Sequence, residues 1–94
     1  MARFDRLEVY NTILSDGMIP LFYNKDKEVA KNITDALYNG GSHILEFTNR
    51  GEGALDVFSY LINIAPQAFP KMIIGAGTII DAPTAALFIA YGAD

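Results

Sequence analysis

Apolar residues in this chain change their spacing in the same order three times, and that alternation leaves few folds open. Three short, nearly continuous apolar runs, Met18–Tyr23, Ile44–Thr48 and Met72–Ala76, are each followed by apolar residues at every third or fourth position. A short unbroken run suits a strand buried on both faces, and the wider spacing suits one face of a helix. The helical stripes are Val29, Ala30, Ile33, Ala36 and Leu37, then Leu55, Phe58, Leu61, Ile62 and Ala65, then a last helix with Asp81 as N-cap. Gly40-Gly41 suits a left-handed cap, Pro66 ends the second stripe, and Pro83 is tolerated in the first turn of the third. Gly92 suits that last helix's end. A further helix precedes the first strand, from Arg3 to Ser15, with Phe4, Leu7, Tyr10, Ile13 and Leu14 on one side and Asp16-Gly17 as its stop.

The predicted strands start near residues 18, 43 and 72, about one βα unit apart. Strands separated by helices pair in parallel through right-handed crossovers. The expected class is therefore α/β, an N-terminal helix plus three βα units. Three parallel strands leave both edges open, which predicts that residues 1–94 are a single incomplete domain, with Gly92-Ala93-Asp94 standing where a fourth strand would begin.

Composition points the same way. The chain has 94 residues, of which 51% are hydrophobic, and its mean hydropathy is +0.21. A chain this short buries only about 60% of its unfolded surface. So apolar a sequence suits part of a larger core, or a subunit covered by partners. The formal charge is −4, and neither half has a lysine and arginine cluster, which argues against nucleic acid and against an anionic membrane surface. No run approaches the roughly 18 apolar residues of a membrane helix. No apolar segment follows the first charges as in a signal peptide, so the expected location is cytoplasmic. Without cysteine and with His43 as its one histidine, the sequence holds no disulfide, no thiolate metal site and no pair of imidazoles. Asn32-Ile33-Thr34 matches a glycosylation sequon on a predicted helix and is read as chance.

Glu46 is the residue that breaks the pattern, a carboxylate inside an apolar strand, costly to bury unless paired or protonated. Strand parity puts Ile44, Glu46 and Thr48 on one face and Leu45 and Phe47 on the other. If Leu45 and Phe47 pack on helices, Glu46 and Thr48 face inward near the C-terminal end of the strand, where α/β folds bind ligands. Arg50 follows in the next loop, and an ion pair between Glu46 and Arg50 is the plain structural reading. Gly75-Ala76-Gly77-Thr78 ends the third strand and leads into the helix capped by Asp81, a glycine-rich passage able to offer backbone N–H groups to an anion or simply to turn tightly. It is neither a Rossmann fingerprint nor a phosphate loop. His43 falls at the opposite end of its strand, which suits a structural role. Tyr10, Phe22, Tyr23, Phe47, Phe58 and Phe88 read as core.

Leu45-Glu46-Phe47-Thr48-Asn49-Arg50 followed by Gly75-Ala76-Gly77-Thr78 resembles the paired motifs of the 2-keto-3-deoxy-6-phosphogluconate aldolase family, whose members often also cleave 4-hydroxy-2-oxoglutarate. Met18-Ile19-Pro20-Leu21 is similar to its first strand and Gly40-Gly41 to the glycines before its second. The resemblance spans about residues 14–94 and implies the N-terminal part of a (β/α)8 TIM barrel. It also implies a class I aldolase, usually trimeric, in which a lysine forms a Schiff base with the keto carbon. On this resemblance Glu46 is the general acid/base, and Arg50 and Thr78 bind the pyruvate carboxylate of a small keto-acid substrate. Neither metal nor cofactor is implied.

Two positions depart from the family pattern. Asn49 stands where many members carry an apolar residue, and Gly51 where they often carry threonine. The family's Schiff-base lysine lies on a later strand, and none of Lys25, Lys27, Lys31 and Lys71 matches it, so residues 1–94 alone are expected to be inactive. The alternative reading is an oligomeric module that binds a small carboxylate or phosphate without chemistry.

Overall fold

The computed structural model describes residues 2–94, in the order α1 (Arg6–Asp16), β1 (Leu21–Phe22), α2 (Lys27–Asn39), β2 (Ile44–Thr48), α3 (Ala54–Ala68), β3 (Ile73–Gly77) and α4 (Ala82–Ala90). The three strands form one sheet in the order β1-β2-β3, and both pairings are parallel. The expected α/β class and its helix-plus-three-βα order are therefore observed.

Register explains the two faces of the sheet. Ile44 pairs with Ile73, Leu45 with Ile74, Glu46 with Gly75 and Thr48 with Gly77, while Leu21 and Phe22 of β1 lie beside Glu46 and Phe47. Because side chains alternate along a strand, Leu45, Phe47 and Ile74 share one face, and Glu46, Thr48, Gly75 and Gly77 the other. The first face is the core. Leu45, Phe47 and Ile74 are closed over by Ala30 of α2, by Val57, Phe58, Leu61 and Ala65 of α3, and by Phe88 of α4. Phe58 sits between Phe47 and Phe88, with ring centroids 6.4 and 5.0 Å away. Burying such a ring stabilises the fold by about 1.5–3 kcal/mol.

Helix ends follow the local chemistry. Asp5 and Glu8 form a reciprocal capping box on α1, Asp26 caps α2 through the N–H groups of Glu28 and Val29, and Asp81 caps α4 through that of Thr84. Beyond α2, Gly41 takes φ 102°, while Ser42 N–H reaches back to the Leu37 carbonyl at 3.0 Å, a turn that favours glycine.

Four expectations are corrected. Helix α3 does not stop at Pro66 but runs to Ala68, and Phe69 N–H closes it on the Ala65 carbonyl at 2.8 Å. Proline there removes one N–H close to the helix end, where few bonds depend on it. Strand β1 is only Leu21–Phe22, with Pro20 adding its carbonyl to Glu46 N–H at 2.9 Å. It is an edge strand, and Met18, Ile19 and Leu21 are exposed instead of buried on both faces. Helix α1 buries none of its residues, and Leu7, Tyr10 and Leu14 face outward, so Tyr10 is not core. Finally, the third strand, expected over Met72–Ala76, is Ile73–Gly77, so Gly77 belongs to β3 and not to the turn after it.

Helix α1 lies across the N-terminal ends of the strands. Its Asp16 carboxylate accepts from His43 N–H at 2.8 Å and lies 3.2 Å from His43 Nδ1. Ahead of it, the Arg3 guanidinium donates to the Met72 carbonyl just before β3. Asp94 ties the same region to the free edge of β3: its N–H donates to the Ile74 carbonyl, and its carboxylate accepts from Ile74 and Arg3 N–H groups. His43 thus has the structural role expected of it, at the end of the sheet away from Thr48 and Gly77.

Candidate functional site

The C-terminal halves of β2 and β3 bring together Glu46, Thr48, Gly77 and Thr78. Glu46 is half-buried on the open face of the sheet, in a cleft of about 150 Å³ that it shares with Val9, Ile19, Ile44, Ile73, Gly75 and Asp94 among others. Its carboxyl leans forward over the neighbouring strand, into the place where a Cβ on Gly77 would stand. Of the two strand glycines Gly77 is a cut-out, whereas a Cβ on Gly75 would meet nothing nearer than the Leu45 carbonyl at 3.9 Å. Gly75 is the register partner of Glu46, and Gly77 leaves the space its carboxyl fills. Within this motif Gly77 provides a slot for a carboxylate.

Thr78 follows directly and has φ 57°, the one described residue other than glycine in the left-handed region. A β-branched side chain is strained there, and such strain gathers at functional sites. Asn49 N–H donates to the Gly77 carbonyl at 2.8 Å, so the loop after β2 is fastened to the peptide that leads into Thr78. Arg50 N–H turns back to the Thr48 carbonyl at 2.9 Å. The Arg50 side chain is exposed.

Glu46 and Arg50 do not form the ion pair that their spacing suggested. Among the described residues the ion pair is Lys31–Asp35 at 2.9 Å, and the Asp16 carboxylate lies 3.2 Å from His43 Nδ1. Glu46 points across the sheet while Arg50 has already left it, so four residues of separation do not make them neighbours. The guanidinium thus remains available to an external carboxylate, for which its planar fork of donors is suited.

The loop carrying Arg50 is gripped from β1. Tyr23 donates its hydroxyl to the Glu52 carbonyl at 2.5 Å, and its ring covers Gly51 so closely that a Cβ there would come 2.7 Å from Cζ. The Gly51 departure noted in the sequence accordingly has a local cause, since Tyr23 occupies the space of a side chain. Two residues escaped the sequence reading as parts of the site, Gly77 as the slot and Tyr23 as the clamp. Gly77 sits in a quoted motif, but its use depends on pairing with a strand about thirty positions earlier.

No lysine here has the setting of a Schiff-base nucleophile. Lys25, Lys27 and Lys71 are exposed. Lys31 is hydrogen-bonded to Asp35, which raises its pKa, whereas an amine nucleophile needs a lowered one. The described residues contain no cluster of three His, Asp or Glu able to hold a metal, and no helix among them is long and apolar enough to cross a membrane.

The family described as KDPG and KHG aldolase matches residues 9–94. The chain is 39% identical over 82 residues to the 2-dehydro-3-deoxy-phosphogluconate aldolase of Pseudoalteromonas atlantica, covering 86% of this chain and 36% of that protein. Its fold superposes on the KDPG aldolase of Legionella pneumophila, crystallised with pyruvate captured at low pH as a covalent carbinolamine intermediate, with TM-score 0.71 and 37% identity. The 2-keto-3-deoxy-6-phospho-gluconate aldolase of Zymomonas mobilis gives TM-score 0.68 at 29% identity. Each structure is matched by 80% of this chain and over 34% of its own length. The chain thus spans about a third of the length of these relatives, and it belongs to the KDPG and KHG aldolase family.

Proposed function

We propose that this chain supplies the proton-transfer and carboxylate-binding part of a class I aldolase, one that cleaves 2-keto-3-deoxy-6-phosphogluconate to pyruvate and glyceraldehyde 3-phosphate. Cleavage of 4-hydroxy-2-oxoglutarate to pyruvate and glyoxylate belongs to the same reading. The observation that carries it is the Glu46 carboxyl, held on the open sheet face by the absence of a side chain at Gly77 and beside the strained Thr78.

Cleavage of the C3–C4 bond needs an electron sink at C2, a base for the C4 hydroxyl and an acid for C3. A lysine amine adds to the C2 carbonyl and loses water to give an imine. When the C3–C4 pair flows into that imine, the aldehyde leaves and an enamine remains. Glu46 is the group placed to take the C4 hydroxyl proton and return a proton to C3, after which water releases pyruvate and frees the lysine. Arg50 and the Thr78 hydroxyl hold the carboxylate, so that the keto carbon faces the lysine and C3 faces Glu46.

On this reading the lysine lies beyond residue 94, on a later strand of a (β/α)8 barrel that also covers Met18, Ile19, Leu21, Leu87 and Ile89, all of them exposed here. A cytoplasmic homotrimer goes with the reading by family resemblance, and family membership favours catalysis over a binding-only module. The test is borohydride reduction of the full-length protein in the presence of pyruvate. A mass gain equal to pyruvic acid less one oxygen, as imine formation and hydride reduction require, supports it. An unmodified mass, with neither acid cleaved, overturns it.

A further inference from the structure

Thr48 carries a polar group that the fold leaves without a partner. It is 2% exposed, and its Oγ1 is buried with no hydrogen bond among the described residues. A buried hydroxyl in that state is costly, and natural folds rarely keep one without a use. By contrast Thr34, equally buried, donates to the Ala30 carbonyl at 2.9 Å and is satisfied. The other unpartnered buried atom among the described residues, Arg3 Nε, belongs to a guanidinium already bonded to the Met72 carbonyl, so the hydroxyl left wholly unused is the one at the site.

Its position narrows the use. Thr48 is on the Glu46 face of β2 and is the register partner of Gly77, the residue whose missing side chain admits the Glu46 carboxyl. Neighbouring strands lie about 4.8 Å apart, so Thr48 stands beside the same residue of β3 that the Glu46 carboxyl leans over. Neither the Glu46 peptide nor Arg50 competes for that hydroxyl, since Glu46 N–H is bonded to Pro20 and the Arg50 N–H to the Thr48 carbonyl.

We infer that Thr48 is a positioning residue, whose hydroxyl donates to the Glu46 carboxylate when substrate fills the site and keeps it aimed at the reacting carbons. The inference rests on the aldolase reading of Glu46. A carboxylate passing a proton back and forth gains from a neutral donor that holds one oxygen and leaves the other free, and a threonine hydroxyl is such a donor.

The test compares Thr48→Val and Thr48→Ser in the full-length protein. Valine keeps the shape and removes the hydroxyl. It is expected to lower kcat about tenfold, the size of one lost hydrogen bond, with KM within about twofold of wild type. Serine restores kcat to within about twofold. In a Glu46→Gln background the valine change should add little further loss, because the two residues act as a unit. Wild-type kcat in Thr48→Val, or equal losses for valine and serine, overturns the inference while leaving the aldolase reading intact. If wild-type protein cleaves neither acid, that reading falls first. The inference then falls with it, because the contact is argued only for the substrate-filled site.

Discussion

The carboxyl of Glu46 occupies the volume that a side chain on Gly77 would need. Thirty-one positions apart in the chain, the two residues meet because β2 and β3 are parallel neighbours in the register Glu46–Gly75 and Thr48–Gly77. A carboxylate in the middle of an apolar strand is thereby given room on the open face of the sheet instead of being pressed into the core.

Gly77→Ala tests that relationship directly. Gly77 lies outside the left-handed region, so alanine brings no backbone strain, only a Cβ against the Glu46 carboxyl. In the full-length protein, on the aldolase reading, a displacement near 1 Å should cost on the order of 10²-fold in kcat, with the circular dichroism spectrum unchanged. Turnover close to wild type would mean that Glu46 works from another rotamer.

Glu46→Gln preserves shape and removes the exchangeable proton. The expected loss in kcat is about 10²–10⁴-fold. Steady-state cleavage of 2-keto-3-deoxy-6-phosphogluconate measures it, and a loss under about threefold would take Glu46 out of the chemistry.

Arg50→Ala should act on binding and leave folding alone. The side chain is exposed and has no ion-pair partner among the described residues, so the unfolding free energy should move by less than about 0.5 kcal/mol. A charge-assisted hydrogen bond to the substrate carboxylate is worth about 1.5–3 kcal/mol, which puts the expected rise in KM at about 10- to 100-fold. An unchanged KM would place the carboxylate elsewhere.

Phe58→Ala should be the most damaging core change. Phe58 is fully buried between Phe47 and Phe88, and truncating such a ring costs about 3–5 kcal/mol. Urea unfolding of the full-length variant measures the cost, and a value below about 1 kcal/mol would contradict the packing described.

Acid should loosen helix α4 at its start. Thr84 donates its backbone N–H to the Asp81 carboxylate at 2.8 Å and holds its pKa below the usual carboxylate value. A carboxyl whose folded pKa is lowered stabilises the fold above its unfolded pKa, and that contribution fades as pH falls through the folded one. Asparagine caps without a charge to lose. Asp81→Asn should therefore show a smaller drop in unfolding midpoint between neutral and acidic pH than wild type, and equal drops would assign the acid sensitivity to other groups.

Much of this fold was legible because it is written in local spacing. The period of the apolar residues marked β2 to the residue and predicted α2 and α3. Strand parity separated Leu45 and Phe47 from Glu46 and Thr48, and Asp81 announced a helix start. The shortness of β1 and the bare outer face of α1 were not legible, since the same apolar residues would be written for a covered strand and a packed helix.

By itself, then, the sequence determined the alternation of strands and helices, the side of β2 on which Glu46 stands, and the paired motifs through which the family is known. These depend on neighbours within a turn or a pleat, where steric and hydrogen-bonding preferences act along the chain. Tertiary structure alone decided that Gly77 makes room for Glu46, that Tyr23 closes over Gly51, that Arg50 stays clear of Glu46, and that Thr48 is left with an unused hydroxyl. Each of these turns on register and on the direction of side chains across the sheet, set only when strands some thirty residues apart come to lie side by side.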